Sequence, residues 1–268
     1  MSVATFKETI WEKNILENFA ESSFVGLITT PPTEVKGEKV VFNRITSSAW
    51  KDYVSGSKIT WEQVATSMVE MSFNKSKYWS FMIDDIDKCQ TAGDVMKAVT
   101  KEQSNLLGEL VSQEVVKYII NNTKEENVIH KVGSPLKVTN ANTYDTLVDM
   151  NVHMSDQKVP MADRFFIISN KILGMLEKDE RFTKNYTILE NGLVDGANIN
   201  GTKLIVRADN PQDKILLTQK SGTGYAMQID ETEAMRLQDY ICDGCRGLVN
   251  YGYVQLRDNC SVVANITV

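Results

Sequence analysis

The alternation of apolar and polar residues is clearest between Lys36 and Gln90. A strand-like run from Val40 to Ile45 is followed by a polar excursion, and a longer strand-like run extends from Met68 to Ile83. In the longer run apolar residues recur with a period of two, which is typical of a half-buried strand. Two long strands around a polar loop predict an extended two-stranded arm. Because an isolated hairpin is only marginally stable in water, the arm is expected to need a partner surface. This favours an assembling protein over an enzyme.

The strongest helical pattern follows the arm. One apolar stripe, with flanking positions that widen it, recurs at helical spacing (Leu106, Leu107, Leu110, Val111, Val115, Val116, Tyr118, Ile119). Thr100 and Gln103 have the spacing of a capping box. We therefore expect a short helix over 91–99 and a separate long helix over 100–121, which would span roughly 30 Å. Gly108 is interpreted as a mild defect that costs about 1 kcal/mol relative to alanine.

The second half of the chain has a mixed α/β pattern with short elements. The predicted elements are a helix over 143–154, a buried strand at Arg164–Ser169, a helix capped by Asn170 and extending through Leu176, strands at Lys203–Arg207 and Lys214–Thr218, and terminal strands after Met235. Three dipeptides predict tight turns (Asn191-Gly192, Asp195-Gly196 and Asn200-Gly201). Residues 221–224 are predicted to be a loop.

Composition narrows the class of protein. The 268 residues carry a formal net charge of −6, which argues against a protein built mainly to bind nucleic acid or a membrane surface. Local basic patches leave DNA contact open. No apolar run reaches the roughly 18 residues of a membrane span, and the start lacks a signal core. Four cysteines are too few for a disulfide scaffold of this size. Synthesis inside a cell is predicted.

Candidate chemistry is sparse in the sequence. The two histidines, His130 and His153, lack metal-ligand spacing. Cys242 and Cys245 form one CxxC pair, which is half of a zinc site, while Cys89 and Cys260 are isolated. The acids Asp84, Asp85 and Asp87 are more simply explained as a strand end before a helix start. No catalytic, cofactor-binding or metal residue is predicted. A soluble metal- or redox-dependent enzyme using Cys242 and Cys245 remains an alternative.

Several stretches resemble one known family in the same order along the chain. They are residues 10–28, Lys36–Ile45, Asp52-Tyr53, Ile59–Glu62, Lys77–Asp87 with Gln90, the helix over 100–121, Asp163–Ser169, Asn191–Asn210, and Gly247 with Tyr251-Gly252. Each motif alone is degenerate, and their ordered spacing is the specific part. The chain resembles the major capsid proteins of tailed double-stranded DNA bacteriophages, which have the Hong Kong 97-like fold.

The resemblance implies an α+β fold with five parts. They are an N-terminal arm (1–33), an extended β-hairpin loop (34–78), a peripheral domain with the spine helix (79–128), a mixed α/β axial domain (129–250), and C-terminal strands that return to the peripheral domain (251–268). On the loop, the implied intersubunit contacts are Lys51, Tyr53, Val54, Lys58 and Trp61.

The resemblance also implies a function. The chain is expected to assemble as pentamers and hexamers into an icosahedral phage head around double-stranded DNA, after synthesis in the cytoplasm of a host bacterium. A portal and a scaffolding protein are the implied partners, unless scaffolding is a precursor segment removed before Met1. No membrane, cofactor or covalent cross-link is predicted. An encapsulin, a nanocompartment shell protein of the same fold, is the alternative within this fold.

Overall fold

The computed structural model describes residues 18–19, 22–36, 39–46, 51–53, 55–56, 58–59, 61, 65–84, 95–182, 186–237 and 241–267. Its helices are α1 (Val25–Ile28), α2 (Val95–Asn122), α3 (Thr143–Asp156) and α4 (Asn170–Leu176). Its strands are β1 (Glu34–Lys36), β2 (Lys39–Thr46), β3 (Ala65–Ser72), β4 (Lys75–Asp84), β5 (Val128–His130), β6 (Leu136–Lys137), β7 (Arg164–Ile168), β8 (Thr187–Ile188), β9 (Leu193–Ile199), β10 (Thr202–Val206), β11 (Lys214–Gln219), β12 (Thr223–Arg236), β13 (Cys242–Gln255) and β14 (Ser261–Thr267).

The largest sheet is mixed and has helices on both faces. Its order is β5-β14-β11-β7-β10-β9-β8, with β6 on β14. All five residues of β7 are buried, because Phe166 and Ile168 face one core while Phe165 and Ile167 face another. Helices α3 and α4 close the first core, and α1 and α2 close the second. The continuous apolar run predicted as a buried strand is therefore confirmed, as are the predicted helices at α3 and α4. The predicted cap of α4 is wrong, because the N-cap is Ser169 and Asn170 is the first helical residue.

Helix α2 differs from its prediction in three ways. It is continuous from Val95 to Asn122, so the predicted break between residues 99 and 100 is wrong; residues 91–94 lie outside the described part. Leu106, assigned to the apolar face, is exposed. Gly108 is no defect, since an added Cβ would lie 2.7 Å from Oγ of Ser22. Its missing side chain lets residues 22–23 approach the helix closely.

The three predicted turns have different outcomes. Asn200 and Gly201 both have positive φ, 51° and 79°, and form the two-residue connection between β9 and β10. Gly192 closes the turn between β8 and β9 by donating its N–H to the Leu189 carbonyl at 2.8 Å. The prediction at Asp195-Gly196 is wrong: these residues lie inside β9, where the pairing register shifts. A bulge uses the same permissive glycine as a turn does.

The predicted loop at 221–224 is only partly right. Lys220–Gly222 form a single 3-10 turn. Strand β12 already begins at Thr223, so Thr223 and Gly224 belong to a sheet.

The long strand predicted from Met68 to Ile83 is two strands in two sheets. Strand β3 pairs with β2 over eight residue pairs, and β1 lies on the other side of β2. Strand β4 instead joins the sheet β12-β13-β4. The chain changes sheets at Phe73-Asn74, at the start of a polar stretch over residues 74–77, and the apolar alternation resumes in the same phase at Trp79. The prediction of one long strand missed the break that this polar stretch marks. We call β2, β3 and the segment between them the hairpin. None of the described helices is both long enough and apolar enough to cross a membrane.

Candidate functional site

The base of the hairpin is packed firmly on the rest of the molecule. Val40 and Phe42 of β2 and Met71 of β3 are buried in a small core with Ala226 of β12. Half-buried apolar residues also pack against this core. An exposed ion pair joins the two strands, from Lys39 Nζ to Glu70 Oε2 at 3.1 Å. Apolar packing therefore fixes where the hairpin leaves the molecule, since an exposed pair of this kind adds little.

Two glycines make this attachment possible, and a third lets the Trp79 ring of β4 lie close against β13. An added Cβ at Gly224 would lie 2.6 Å from the Phe42 ring, and one at Gly252 would lie 2.7 Å from the Ser72 carbonyl oxygen. At Gly247 an added Cβ would lie 2.6 Å from the Trp79 ring. At these three positions β12 and β13 must lack a side chain, because residues of β2, β3 and β4 lie close to their backbones. Two of the three, Gly247 and Gly252, form the late glycine pattern noted in the sequence, which thus has a physical cause.

The far end of the hairpin carries exposed apolar side chains. Tyr53 is 68% exposed, Ile59 67% and Trp61 92%. Of the predicted contact residues, Lys51 and Lys58 are exposed as well, and Val54 lies outside the described residues. We call residues 51–61 the tip. Aromatic side chains are enriched in protein interfaces. The tip thus exposes three large side chains among its described residues.

A second apolar surface lies on the sheet β12-β13-β4, and sequence reasoning missed it. Lys77 of β4 approaches Glu114 of α2 at 3.8 Å, so odd-numbered side chains of β4 face the helix and even-numbered ones face away. On that far side Tyr78 is 81% exposed and Met82 62%. We call this side of the sheet the open face. The sequence does indicate this face, because β4 carries large apolar residues at both its even-numbered and its odd-numbered positions.

A polar contact joins α2 to the opposite side of the same sheet. The Tyr251 hydroxyl donates to Glu114 Oε2 at 2.9 Å, and the Tyr118 hydroxyl accepts from the Gln255 N–H at 3.1 Å. Burial, and then the hydrogen bond to Glu114, raises the pKa of Tyr251 above its usual range. Tyr251 therefore stays a neutral donor and holds helix and sheet in register.

The cysteine pair has the environment of structural thiols. Cys242 and Cys245 are both buried in β13. Burial raises the pKa of Cys245 to about 12, whereas reactive and metal-binding thiols have lowered pKa values. Cys260 belongs to the core under α3 and α4, and Cys89 lies outside the described residues. Nothing in this arrangement favours the enzyme that uses Cys242 and Cys245.

The remaining candidates for chemistry are dispersed. His153 lies 3.4 Å from Oδ1 of Asn127 and 3.2 Å from Nε2 of Gln157, and His130 ends β5. Asp84 ends β4, while Asp85 and Asp87 lie outside the described residues. Among the residues that the structure describes, no three His, Cys, Asp or Glu side chains form a group that could hold a metal ion.

Comparisons with known proteins identify the fold. No protein-family model and no curated protein sequence matches the chain. Solved structures do match. The chain aligns with a chain of the capsid structure of the cyanophage P-SCSP1u with a TM-score of 0.69 and 16% identity, covering 92% of this chain and 88% of that one. A chain from Mycobacterium phage Che8 aligns with a TM-score of 0.61 and 20% identity, covering 91% and 89%.

A third solved structure extends the comparison beyond phages. A chain of a virus-like particle from Pyrococcus furiosus aligns with a TM-score of 0.60 and 12% identity, covering 97% of this chain and 99% of that one. The chain therefore has the mixed α/β fold of tailed-phage capsid proteins over nearly its whole length. The expectation drawn from the order of sequence features is confirmed at the level of the fold.

Proposed function

We propose that this chain is the major capsid protein of a tailed bacteriophage. It assembles as pentamers and hexamers into an icosahedral head that encloses double-stranded DNA. The five-part division into arm, loop, peripheral domain, axial domain and C-terminal strands belongs to this proposal. Its place is the virion, after synthesis in the bacterial cytoplasm.

The hairpin is the observation that carries the proposal. Its base is buried on the subunit, while its tip presents three large apolar side chains to solvent. Such a tip is costly for a protein that works alone, because exposed apolar clusters promote association. In a shell the tip lies against a neighbouring subunit. Lys51, Tyr53, Val54, Lys58 and Trp61 are the contact residues of this proposal.

The proposed assembly is stabilised by the surface area buried between subunits. It therefore needs no local active site. A stable interface buries on the order of 1,600 Å², and a subunit of a closed shell has several such interfaces. The scaffolding protein and the portal enter as partners that set the size of the shell and its opening for DNA. The chain acts as a structural protein and needs no cofactor.

An encapsulin shell is the second candidate. The chain aligns with 99% of the chain of the Pyrococcus furiosus virus-like particle. This likeness supports the encapsulin candidate only through the shared fold. The two candidates differ in what the shell contains, which is DNA for a phage head and cargo protein for an encapsulin. The extended hairpin and the long N-terminal arm expected from the sequence favour the phage head.

Electron microscopy of particles assembled from the purified full chain, alone and with the scaffolding protein, tests the proposal. We expect closed shells with fivefold and sixfold capsomers. Particles isolated from producing cells should contain double-stranded DNA that resists added nuclease. Shells filled with protein and free of DNA would favour the encapsulin, and a chain that stays monomeric at high concentration with its scaffold would contradict both.

A further inference from the structure

A cleft lies between the last turns of α2 and the segment that joins β10 to β11. It has a volume of about 300 Å³ and is lined by one side of the helix and by residues of that segment. The lining residues of the helix recur at helical spacing (Gln113, Val116, Lys117, Ile120 and Asn121). The cleft therefore follows the helix axis for about 12 Å, which is the length of three or four residues of extended chain.

The floor of the cleft is apolar and continuous with the core. Val116 is 2% exposed and packs in the core that α1 and α2 close over the large sheet. Ile120 packs against the same core and also lines the cleft, and Pro211 lines it from the opposite side. A floor held by the core is already formed before a ligand arrives, so binding orders little of the protein. Such a floor suits an apolar side chain.

A buried amide in the cleft has an acceptor to spare. Asn210 is 4% exposed and lines the cleft. Its Nδ2 donates to the carbonyl oxygens of Ile168 and Ile205, at 2.7 and 3.3 Å. Its Oδ1 accepts no hydrogen bond from any residue that the structure describes. Because an unpaired acceptor in a buried side chain costs free energy, Oδ1 is a place for a donor from a ligand, such as a peptide N–H.

The unpaired charges around the cleft are mainly positive. Lys117 and Lys214 line it, and neither has a carboxylate partner in the described part of the chain. Of the two acids in the lining, Asp209 is already occupied, because it accepts from Nε of Arg207 at 3.0 Å. Asp213 then stands against two ammonium groups. In a chain with a net charge of −6, this local excess complements a carboxylate on a ligand.

These features together fit a peptide better than a nucleic acid. An extended peptide supplies N–H groups for Asn210, an apolar side chain for the floor and carboxylates for the two lysines, and side-chain pockets of this kind are how short segments are recognised. A nucleic-acid strand carries a charge at every phosphate. Asp209 and Asp213 oppose such a strand, and phosphates gain nothing from an apolar floor.

We propose that this cleft binds a short acidic peptide segment of a second protein, in which carboxylates flank an apolar side chain. The apolar side chain packs on Val116 and Ile120, and the carboxylates pair with Lys117 and Lys214. A peptide N–H donates to Oδ1 of Asn210. The inference goes beyond the proposed assembly function, since it assigns a docking site for a different protein and involves no contact between copies of this chain.

Fluorescence anisotropy of labelled peptides with the unassembled full chain tests the inference. The probe is rhodamine-labelled Gly-Glu-Leu-Leu-Glu-Gly amide. Its comparison peptides are Gly-Lys-Leu-Leu-Lys-Gly, which reverses the charge, and Gly-Glu-Ser-Ser-Glu-Gly, which removes the apolar side chains. We expect the acidic leucine peptide to bind with a Kd below about 1 mM, and both comparison peptides to bind at least about tenfold more weakly.

Lysine variants show whether the charges act as proposed. Lys117→Gln and Lys214→Gln should each weaken binding of the acidic leucine peptide roughly threefold, as expected for partly exposed ion pairs. Lys117→Glu should go further and make the chain prefer the basic leucine peptide. Lys171→Gln, at an exposed lysine on α4, is the matched control and should leave the affinity unchanged. Urea midpoints establish that each variant is folded.

A carbodiimide, which joins carboxylates to amines that are in direct contact, locates the bound peptide. Mass spectrometry should find the acidic leucine peptide attached to Lys117 and Lys214 and not to Lys171. This pattern, with the expected affinities, supports the inference.

Three results would overturn the inference. The first is no binding up to about 1 mM, or attachment spread evenly over the exposed lysines. The second is displacement of the peptide by an equal concentration of a short DNA duplex, which would assign the cleft to nucleic acid. The third is coupling of Lys117 to carboxylates of this chain in place of the peptide. Because the readout is binding by single subunits, each result leaves the proposed shell function standing, and a failure to form shells leaves this inference standing.

Discussion

Gly224 lies directly beneath the ring of Phe42, and this contact sets how closely the hairpin base approaches β12. We expect Gly224→Ala to destabilise the subunit by roughly 1–3 kcal/mol, because the added methyl group overpacks a core that is already filled. Urea unfolding of the subunit, followed by circular dichroism, measures the change. Phe42→Leu in the same chain should restore part of the loss by making room for the methyl group.

Gly174 is the matched control for this substitution. It lies inside α4, and an added Cβ would meet nothing within 4 Å. Gly174→Ala should therefore leave stability unchanged or raise it by up to about 1 kcal/mol, the helix preference of alanine over glycine. Equal effects at Gly174 and Gly224 would contradict the role given to the Phe42 contact.

Asp179 predicts a change in stability at acid pH. Hydrogen bonds from the Arg181 side chain and backbone lower the pKa of Asp179 from 3.8 to about 2. Because this pKa is lowered, the ionised carboxylate stabilises the folded state above about pH 4. That stabilisation is lost as the pH falls from about 4 to about 2. Asp179→Asn should therefore be less stable than wild type at pH 6, and the difference should shrink towards pH 2.

Unfolding midpoints measured at half-unit pH steps check this expectation. Asp149→Asn, an exposed acid on α3, shows how much of any change comes from removing a surface charge. A difference between wild type and Asp179→Asn that stays constant from pH 6 to pH 2 would contradict the assignment.

At the scale of elements, Arg164 holds the end of α3 to the start of β7. Its side chain is buried, and it donates to the carbonyl oxygens of Asn151, Val159 and Pro160 at 3.2, 2.6 and 2.9 Å. Among the described residues, the acceptors of its hydrogen bonds are all neutral oxygens. Burial lowers the pKa of Arg164 from its usual value. The guanidinium supplies the donors that the carbonyls of this helix end and turn require.

Arg164→Leu should destabilise the subunit by about 3 kcal/mol or more, because several buried carbonyls lose their donors at once. Arg164→Lys should recover only part of the loss, since one ammonium cannot reproduce the planar fork. Denaturant unfolding gives both values. Arg257→Leu, at an exposed arginine, is the control and should stay within about 0.5 kcal/mol of wild type. A similar loss at both arginines would contradict the capping role.

The elements that the sequence predicted well are those whose burial is uniform along their length. Strand β7 is apolar at every position because both of its faces are buried, and α3 is apolar on one side because it covers one face of the sheet. Two predictions that were wrong concern places where the pairing of a strand changes along its length. The apolar alternation stops over residues 74–77 and resumes in the same phase at Trp79, so only a short polar stretch marks the change of sheet. The glycine of Asp195-Gly196 serves a bulge as readily as a turn.

The exposed side chains of the hairpin were predictable from the sequence, whereas the ion pair on the open face was not. Tyr53 and Trp61 stand out as aromatic residues in a polar segment, and both are exposed. Arg246 on the open face forms an ion pair with a cross-strand partner, Glu233, thirteen positions away. That distance in the chain has no periodic signature, and only the β12-β13 register reveals the pair.

At the scale of the whole molecule, α2 lies where the two large sheets meet. Val111 and Val115 of the helix share one core with Phe165 of β7 and with Val249 of β13. The helix therefore joins the large sheet to the sheet that bears the open face. The hairpin lies outside this shared core, because its base packs in a separate small cluster. Loss of the tip should thus leave the folding of the rest of the molecule intact.

Deletion of Val54–Lys58 tests this separation. The deletion shortens the tip and leaves untouched the residues that anchor the hairpin base, Phe42 and Met71 among them. We expect the purified subunit to keep its circular dichroism spectrum and its urea midpoint, while the yield of closed particles in electron micrographs falls strongly. Trp61→Ala, which keeps the loop length, should give an intermediate yield. If the deletion assembled with wild-type yield and particle stability, the tip would have no part in holding the shell together.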